Sequence, residues 1–245
     1  MLTDRVSDHK ERLHAGDTFR FSCSPGMACF NACCRNKDLV LTPYDVVRLK
    51  TACGLHSDRF LERYVLYRQD PGSGFPVLSL RMQDDPGKRC PFVAGGGCTV
   101  YRHRPTACRL YPLGRATAPA LDAGGADTFF FLLDTPGCLG VGEQHAVRLQ
   151  DWLEGQGLLP YLEFNNLMLK LLFHKKRDRR VPLSPGQVQK VILACYNPDA
   201  FRTFLFRSGF LKQAGVPAGR RRKLRENDEA LLRFGFEFLE KVLFA

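Results

Sequence analysis

Long apolar runs are missing from this 245-residue chain. The longest, Phe129 to Leu133 and the interrupted Leu167 to Phe173, fall well short of the ~20 residues that a membrane helix needs. The opening MLTDRVSDHKERLHAGD lacks an apolar core and a small-residue cleavage site, so no secretory signal is expected. Phosphate loops are lacking as well, because Gly95-Gly-Gly97 is not followed by Gly-Lys-Ser/Thr. There is no Gly-x-Ser-x-Gly, no His-Glu-x-x-His and no paired-carboxylate signature. Histidines 9, 14, 56, 145 and 174 have no ligand-like spacing, and no internal repeat recurs, which argues against a solenoid. A cytoplasmic location is the default that these absences leave. In that reducing setting clustered cysteines bind metal or do redox chemistry more often than they form structural disulfides.

What is present in unusual number is cysteine, ten in all. Cys23, Cys29, Cys33 and Cys34 crowd into one short stretch among Gly, Pro and small residues. Cys90, Cys98 and Cys108 follow at wider spacing, and Cys138 closes the series in Thr-Pro-Gly-Cys-Leu-Gly. Metal-bound thiolates must converge on a point about 2.3 Å away, which a sharply turning backbone permits. Thiolates select zinc or iron–sulfur centres over hard cations. The eight equal two tetrahedral sets, or one [4Fe–4S] cluster with four to spare. The isolated Cys53 and Cys195 are read as core filling. If Cys33 and Cys34 lie on a strand, they point to opposite faces. His103, between Cys98 and Cys108, could replace a thiolate, but its neighbours Arg102 and Arg104 favour an exposed surface turn. Arg104 and Arg109 either offset thiolate charge or are solvated.

Charge is uneven. Residues 170–225 hold 15 Lys/Arg against Asp178 and Asp199, a surplus of 13; the whole chain carries +11, so the remainder sums to −2. The basic stretches 174–180 and 220–225 read as connectors between helices. They could meet an acidic partner or nucleic acid, and most such runs are solvated loops.

The order Cys23 to Cys34, Leu-Val-Leu-Thr-Pro-Tyr-Asp-Val, Cys90-Pro-Phe, then Gly-Gly-Cys-Thr-Val-Tyr-Arg-His-Arg-Pro-Thr-Ala-Cys-Arg-Leu-Tyr-Pro resembles the YkgJ-like cysteine-cluster family. These are bacterial proteins named for a CxxCxxCC motif and labelled zinc- or iron-chelating. The likeness spans roughly 18–142. The first spacings here are five and three, not two and two. The family also includes the flagellin lysine methylase, so the resemblance also implies an iron–sulfur-dependent protein methylase-like enzyme.

Thr42, Pro43 and Asp45 spell a helix start, and Gly54 a stop. A second helix is expected after Ser57, with Phe60, Leu61, Tyr64 and Val65 inward. Phe75 to Met82 reads as a strand. Beyond it, helices are expected over 143–154, 158–173, 185–195, 198–208 and 227–243, the last buried or paired because it is apolar on most sides. The expected fold is mainly α with few short strands: a metal-stapled, loop-rich domain over 18–142 and a helical region over 143–245. The expected function is metal binding, structural or redox. The alternatives are the methylase-like enzyme and a zinc-stabilised module that binds nucleic acid or protein.

Overall fold

A computed structural model describes residues 11–119, 126–178 and 181–244. The chain is helix-rich but mixed, 46% helical and 18% strand. Strand β1 (Thr18–Phe21) enters the cysteine loop, and β2 (Val40–Leu41) leaves it. Helix α1 (Pro43–Ala52) follows, started as its sequence dictates. Thr42 Oγ1 accepts from the Asp45 amide at 3.3 Å, while the Asp45 carboxylate accepts from the Thr42 amide at 2.9 Å. A cap of this kind contributes on the order of 1 kcal/mol.

Helix α2 (Ser57–Tyr64) begins at Ser57 as expected and runs into β3 (Val65–Gln69). The expected strand is β4 (Pro76–Leu80), buried at every position, between β2 and β3 in an antiparallel sheet. Short strands β5 (Val93–Ala94) and β6 (Gly97–Cys98) form a hairpin. Helix α3 (Thr106–Leu110) carries Cys108. Strands β7 (Leu113–Pro119) and β8 (Ala126–Leu132) pair antiparallel, and β9 (Val141–Arg148) returns to pair with β1.

Two expectations are corrected here. Residues 141–148 are strand, and only Leu149–Gly155 (α4) is helical within 143–154. The exposed, polar β9 has no alternation to announce itself. Its partner β1 decides its form, because pairing completes the ladder beside the buried Phe19 and Phe21. The basic run 220–225 is also not a connector. It lies in helix α9 (Ala218–Glu226), where Arg and Lys are strong helix formers and Leu224 alone faces inward. The 174–180 stretch is a turn through Arg177, with positions 179 and 180 outside the described residues.

The remaining helices match their punctuation: α5 (Leu159–Leu172), α6 (Pro185–Val191) ending in a π turn over Ile192–Tyr196, α7 (Pro198–Arg207) and the short α8 (Phe210–Gln213). Helix α10 (Asp228–Phe244) buries Leu231, Leu232, Phe234, Phe236, Phe238 and Leu239 on several sides, as its composition requires. One apolar core joins α1, α2 and β4 to α5, α6, α7 and α10.

An ion network ties the helices at one end. Lys50 on α1 reaches Asp199 at 3.1 Å and Asp228 at 2.8 Å, and Arg202 bonds both carboxylates. Asp199 also accepts from the Ser57 amide at 2.8 Å. Burial alone would raise the Asp199 carboxyl, but the Ser57 amide and Lys50 outweigh it and hold it at about 2, against 3.8 unperturbed. Its folded value is the lower one, so the stability it contributes is present above 3.8 and is lost as pH falls towards 2. A shift of that size corresponds to about 2 kcal/mol. Acid titration of Asp199→Asn, followed by circular dichroism, is expected to show a flatter loss of stability over that window than the parent protein.

Candidate metal centre

The cysteine loops turn tightly. The Met27 amide bonds the Ser24 carbonyl at 3.1 Å, Phe30 bonds Met27 at 2.9 Å, and Ala32 bonds Cys29 at 2.9 Å. Asn31 takes a left-handed conformation and leads into a 3-10 turn over Ala32–Cys34. Cys33 and Cys34 therefore sit on one turn rather than on opposite faces of a strand, and their thiols act directly on each other.

Backbone bonds bring the second group of cysteines to this turn. The Cys90 amide donates to the Cys34 carbonyl at 2.8 Å, and Asn36 to Lys88 at 2.9 Å. The β5–β6 hairpin folds Cys98 back toward Cys90, with Thr99 bonded to the Phe92 carbonyl at 2.8 Å. At Gly97, φ is +116°, and an added Cβ would lie 3.3 Å from the Phe30 ring, so the hairpin rests against the first loop there. Helix α3 then presents Cys108.

Asp45 fixes that helix. Its Oδ1 accepts from the Thr106 amide at 2.7 Å and the Thr106 hydroxyl at 2.8 Å, while Oδ2 serves the Thr42 cap. Burial pushes this carboxyl up, and the Thr42 and Thr106 donors pull it back. The capping motif revealed only one of these two tasks. Nothing in the spacing signalled that the same carboxylate would start a second helix.

Cys138 arrives from the far side. The Ser22 amide donates to the Gly140 carbonyl at 3.0 Å. A Cβ on Gly140 would stand 2.1 Å from the Ser22 carbonyl oxygen, so only glycine permits this approach. The Leu139 amide donates to Cys29 Sγ at 3.4 Å. Tyr111 is pushed up chiefly by burial, with Cys138 and Thr135 as polar neighbours, an arrangement that sequence reasoning missed.

The thiols act on one another. Cys23 is raised by burial and by the charges of Cys33, Cys29 and Cys138. Cys34 is raised by its bond to Cys33, by burial, and by the charges of Cys33, Cys90 and Cys108. Cys90 and Cys98 are raised chiefly by burial, with Cys33 acting on both. Cys108 is open at the surface, yet the protein crowded around it and the charges of Cys90, Asp45, Cys98 and Cys33 push it up to about 12. Cys33 is the exception. Its neighbour Cys34, helped by Lys37, brings it below the ordinary thiol range.

Charge–charge effects link the eight cysteines expected from the sequence, and Cys33 acts on members of both halves of the group. One half gathers Cys23, Cys29 and Cys138; the other gathers Cys34, Cys90, Cys98 and Cys108. Among the described residues no three His, Cys, Asp or Glu side chains already stand close enough to hold a metal ion. The sulfurs are neighbours, short of a closed coordination sphere. The donor set still fits a soft cation: thiols that repel one another as they ionise, with the Leu139 N–H aimed at Cys29. Cys195 is buried in the core, and Cys53 caps α1 half-buried.

Arg104 stacks on Tyr101 at 3.9 Å and acts electrostatically on Cys98 and Cys108. Arg109 is not solvated. It is buried, and its guanidinium donates to the Arg102, Arg104 and Gln156 carbonyls. His103 is half-buried, and three arginines (48, 109 and 102) are the charges acting on it. Within the basic stretches Arg220 pairs with Glu237 at 2.6 Å, Arg225 lies over Phe206 at 4.3 Å, and Lys176 donates to the Phe244 carbonyl at 2.9 Å. No helix among the described residues is long and apolar enough to cross a membrane.

Residues 22–128 match the family model described as "CxxCxxCC: Putative zinc- or iron-chelating domain". The resemblance carried by the cysteine pattern is thereby shown for that segment, which stops short of Cys138. No curated protein and no solved structure matches the chain.

Proposed function

We propose, starting from a CxxCxxCC-type domain over residues 22–128, that the eight thiols form a zinc or iron–sulfur centre whose first role is to hold the cysteine loops together. One observation carries this reading. Residues 22–40, 81–91 and 132–139, the loops bearing Cys23, Cys29, Cys33, Cys34, Cys90 and Cys138, contain no fully buried side chain. Apolar burial is the dominant stabilising term in folding, so loops without it need another source of order. Metal–thiolate bonds supply one, as in small zinc domains.

The electrostatic neighbours suggest two sets. Cys23, Cys29 and Cys138 would bind with Cys33, and Cys34 with Cys90, Cys98 and Cys108. A bound zinc would supply a permanent cross-link, and an iron–sulfur cluster a cross-link that also carries one electron. The Leu139 amide donates to Cys29 Sγ and would hold that sulfur in place toward a shared metal.

Anaerobic purification followed by metal analysis tests the reading. Two occupied sites per chain are expected, brown if iron–sulfur and colourless if zinc. Cys29→Ser should empty one site and Cys98→Ser the other. Protein that carries neither metal when fully reduced would overturn the centre. Loss of all metal from either single variant would overturn the division into two sets.

A further inference from the structure

Helix α9 carries five cations in nine residues, Arg220, Arg221, Arg222, Lys223 and Arg225, against one acid, Glu226. The arrangement works against the helix itself. Arg220 and Arg221 stand near its start, where the first turn holds no acidic residue and a cation opposes the helix dipole. Arg221 and Arg225 are four residues apart, and Arg220 and Lys223 three, spacings at which like charges repel one another along a helix.

Two of the five are held from below. Arg220 bonds both Glu237 oxygens and lies 5.2 Å over the Phe234 ring, and Arg225 lies 4.3 Å over Phe206. Arg222 and Lys223 are exposed and Arg221 is half-buried. Among the described residues none of these three has a carboxylate within ion-pair reach. Lys223 and Arg220 also line, with Arg233, a groove of about 350 Å³ between α9 and α10. The two carboxylates in that groove are already engaged, Glu229 by the Tyr44 hydroxyl at 2.6 Å and Glu237 by Arg220. The positive charge of this face is therefore not cancelled from within.

What the face lacks identifies what it fits. Protein interfaces centre on apolar and aromatic side chains and are depleted of charge at the core, whereas the one large apolar residue of α9, Leu224, is buried inward. A helix lying in a membrane surface turns its apolar side to the lipid, and α9 has none to turn. Single strands stack their bases on exposed rings, and the Phe206 ring beside α9 is covered by Arg225. Cations without apolar or stacking companions match a duplex backbone, which is held by charge on its phosphates.

We propose that the exposed side of α9 binds the phosphate backbone of double-stranded nucleic acid, without reading its sequence, through Arg221, Arg222 and Lys223. Arg220 and Arg225 frame these three from either side. A bound backbone would relieve both the repulsion among the cations and their conflict with the helix dipole. The face lies on the helical half of the chain and does not depend on which metal the thiols bind.

Fluorescence anisotropy of the metal-loaded full chain with a short mixed-sequence DNA duplex and its RNA counterpart tests this, over about 50 to 200 mM salt. Saturable binding to both duplexes is expected. Three neutralised phosphates give a slope of about −2.7 in log K against log salt, or about a 40-fold weakening across that range. Arg221→Gln, Arg222→Gln and Lys223→Gln combined keep good helix formers and should weaken binding at least tenfold at the low-salt end. Arg222→Gln alone should lower the slope by about one. Arg59→Gln, Arg63→Gln and Arg68→Gln combined remove the same charge from α2 and β3 and should change affinity by less than about twofold. No saturable binding to either duplex at the low-salt end would overturn the proposal. So would binding that the α9 variant retains, or that the α2–β3 variant loses equally. Vesicles of anionic phospholipid and polyglutamate are the competing polyanions. If either binds through α9 more tightly than the duplexes at the same salt, the face serves a membrane or an acidic protein and the proposal falls.

Discussion

Removing the metal from reduced protein with a strong chelator is expected to unfold the cysteine loops while leaving much of the helical core assembled. Structural zinc contributes about 10 to 16 kcal/mol in isolated finger peptides, where nothing else holds the fold. Here α1, α2, β2 and β4 share a large apolar core with α5 to α10, so part of the chain has its own support. The exposed loops do not. Limited proteolysis should cut within 22–40, 81–91 and 132–139 after chelation and not before. Hydrogen exchange at the Cys34, Cys90 and Gly140 bonds should speed up in parallel, by orders of magnitude if several kcal/mol are lost. Far-UV dichroism should change little, since these loops contain only one 3-10 turn and single end residues of β2 and β8. Loops that stay protease-resistant when demetallated and reduced would show that their hydrogen bonds suffice, and the structural role would fall.

How much of this could be read in the sequence depends on the kind of signal. Local punctuation was legible, because it is written within four residues. Thr42 with Asp45, and Ser184 with Gln187, each make both bonds of a capping box. The eight clustered cysteines were legible as a group because their number is anomalous for a chain that is otherwise ordinary in composition. Long-range pairing was not legible. Strand β9 is almost wholly exposed, shows no inside–outside alternation, and owes its form to β1, more than a hundred residues earlier. The Phe129 to Leu133 run was visible only as apolar, and β8 became a strand by pairing with β7. The arginines were not legible either, since Arg109, read as a counter-charge or a solvated cation, is a buried clamp on three carbonyls. The central position of Cys33 was likewise hidden. It arises from where backbone bonds place Cys90 and Gly140, which spacing does not encode.

The second large effect should come from Asp45, which has no sulfur and lies on no cysteine loop. Its two oxygens accept three bonds for two helices, from the Thr42 amide at the start of α1 and from the Thr106 amide and hydroxyl at the start of α3, while its own amide donates to Thr42 Oγ1. Asp45→Ala leaves buried donors unmatched on both helices and is expected to cost about 3 to 5 kcal/mol in chemical denaturation. Asp45→Asn is the sharper test. An asparagine keeps one carbonyl oxygen for Thr106, but its amide nitrogen then faces the Thr42 N–H, donor against donor. It should recover only part of the loss. Thr106→Val removes one hydroxyl donor and keeps the amide bond, so it should cost about 1 kcal/mol. Because α3 carries Cys108, both Asp45 variants should also release metal from the Cys34, Cys90, Cys98, Cys108 set before the other set. The difference can be followed by chelator competition on Cys29→Ser and Cys98→Ser backgrounds. If Asp45→Asn were as stable as the parent and released metal no faster, the carboxylate would be only a helix cap, and α3 would be held in place by the metal alone.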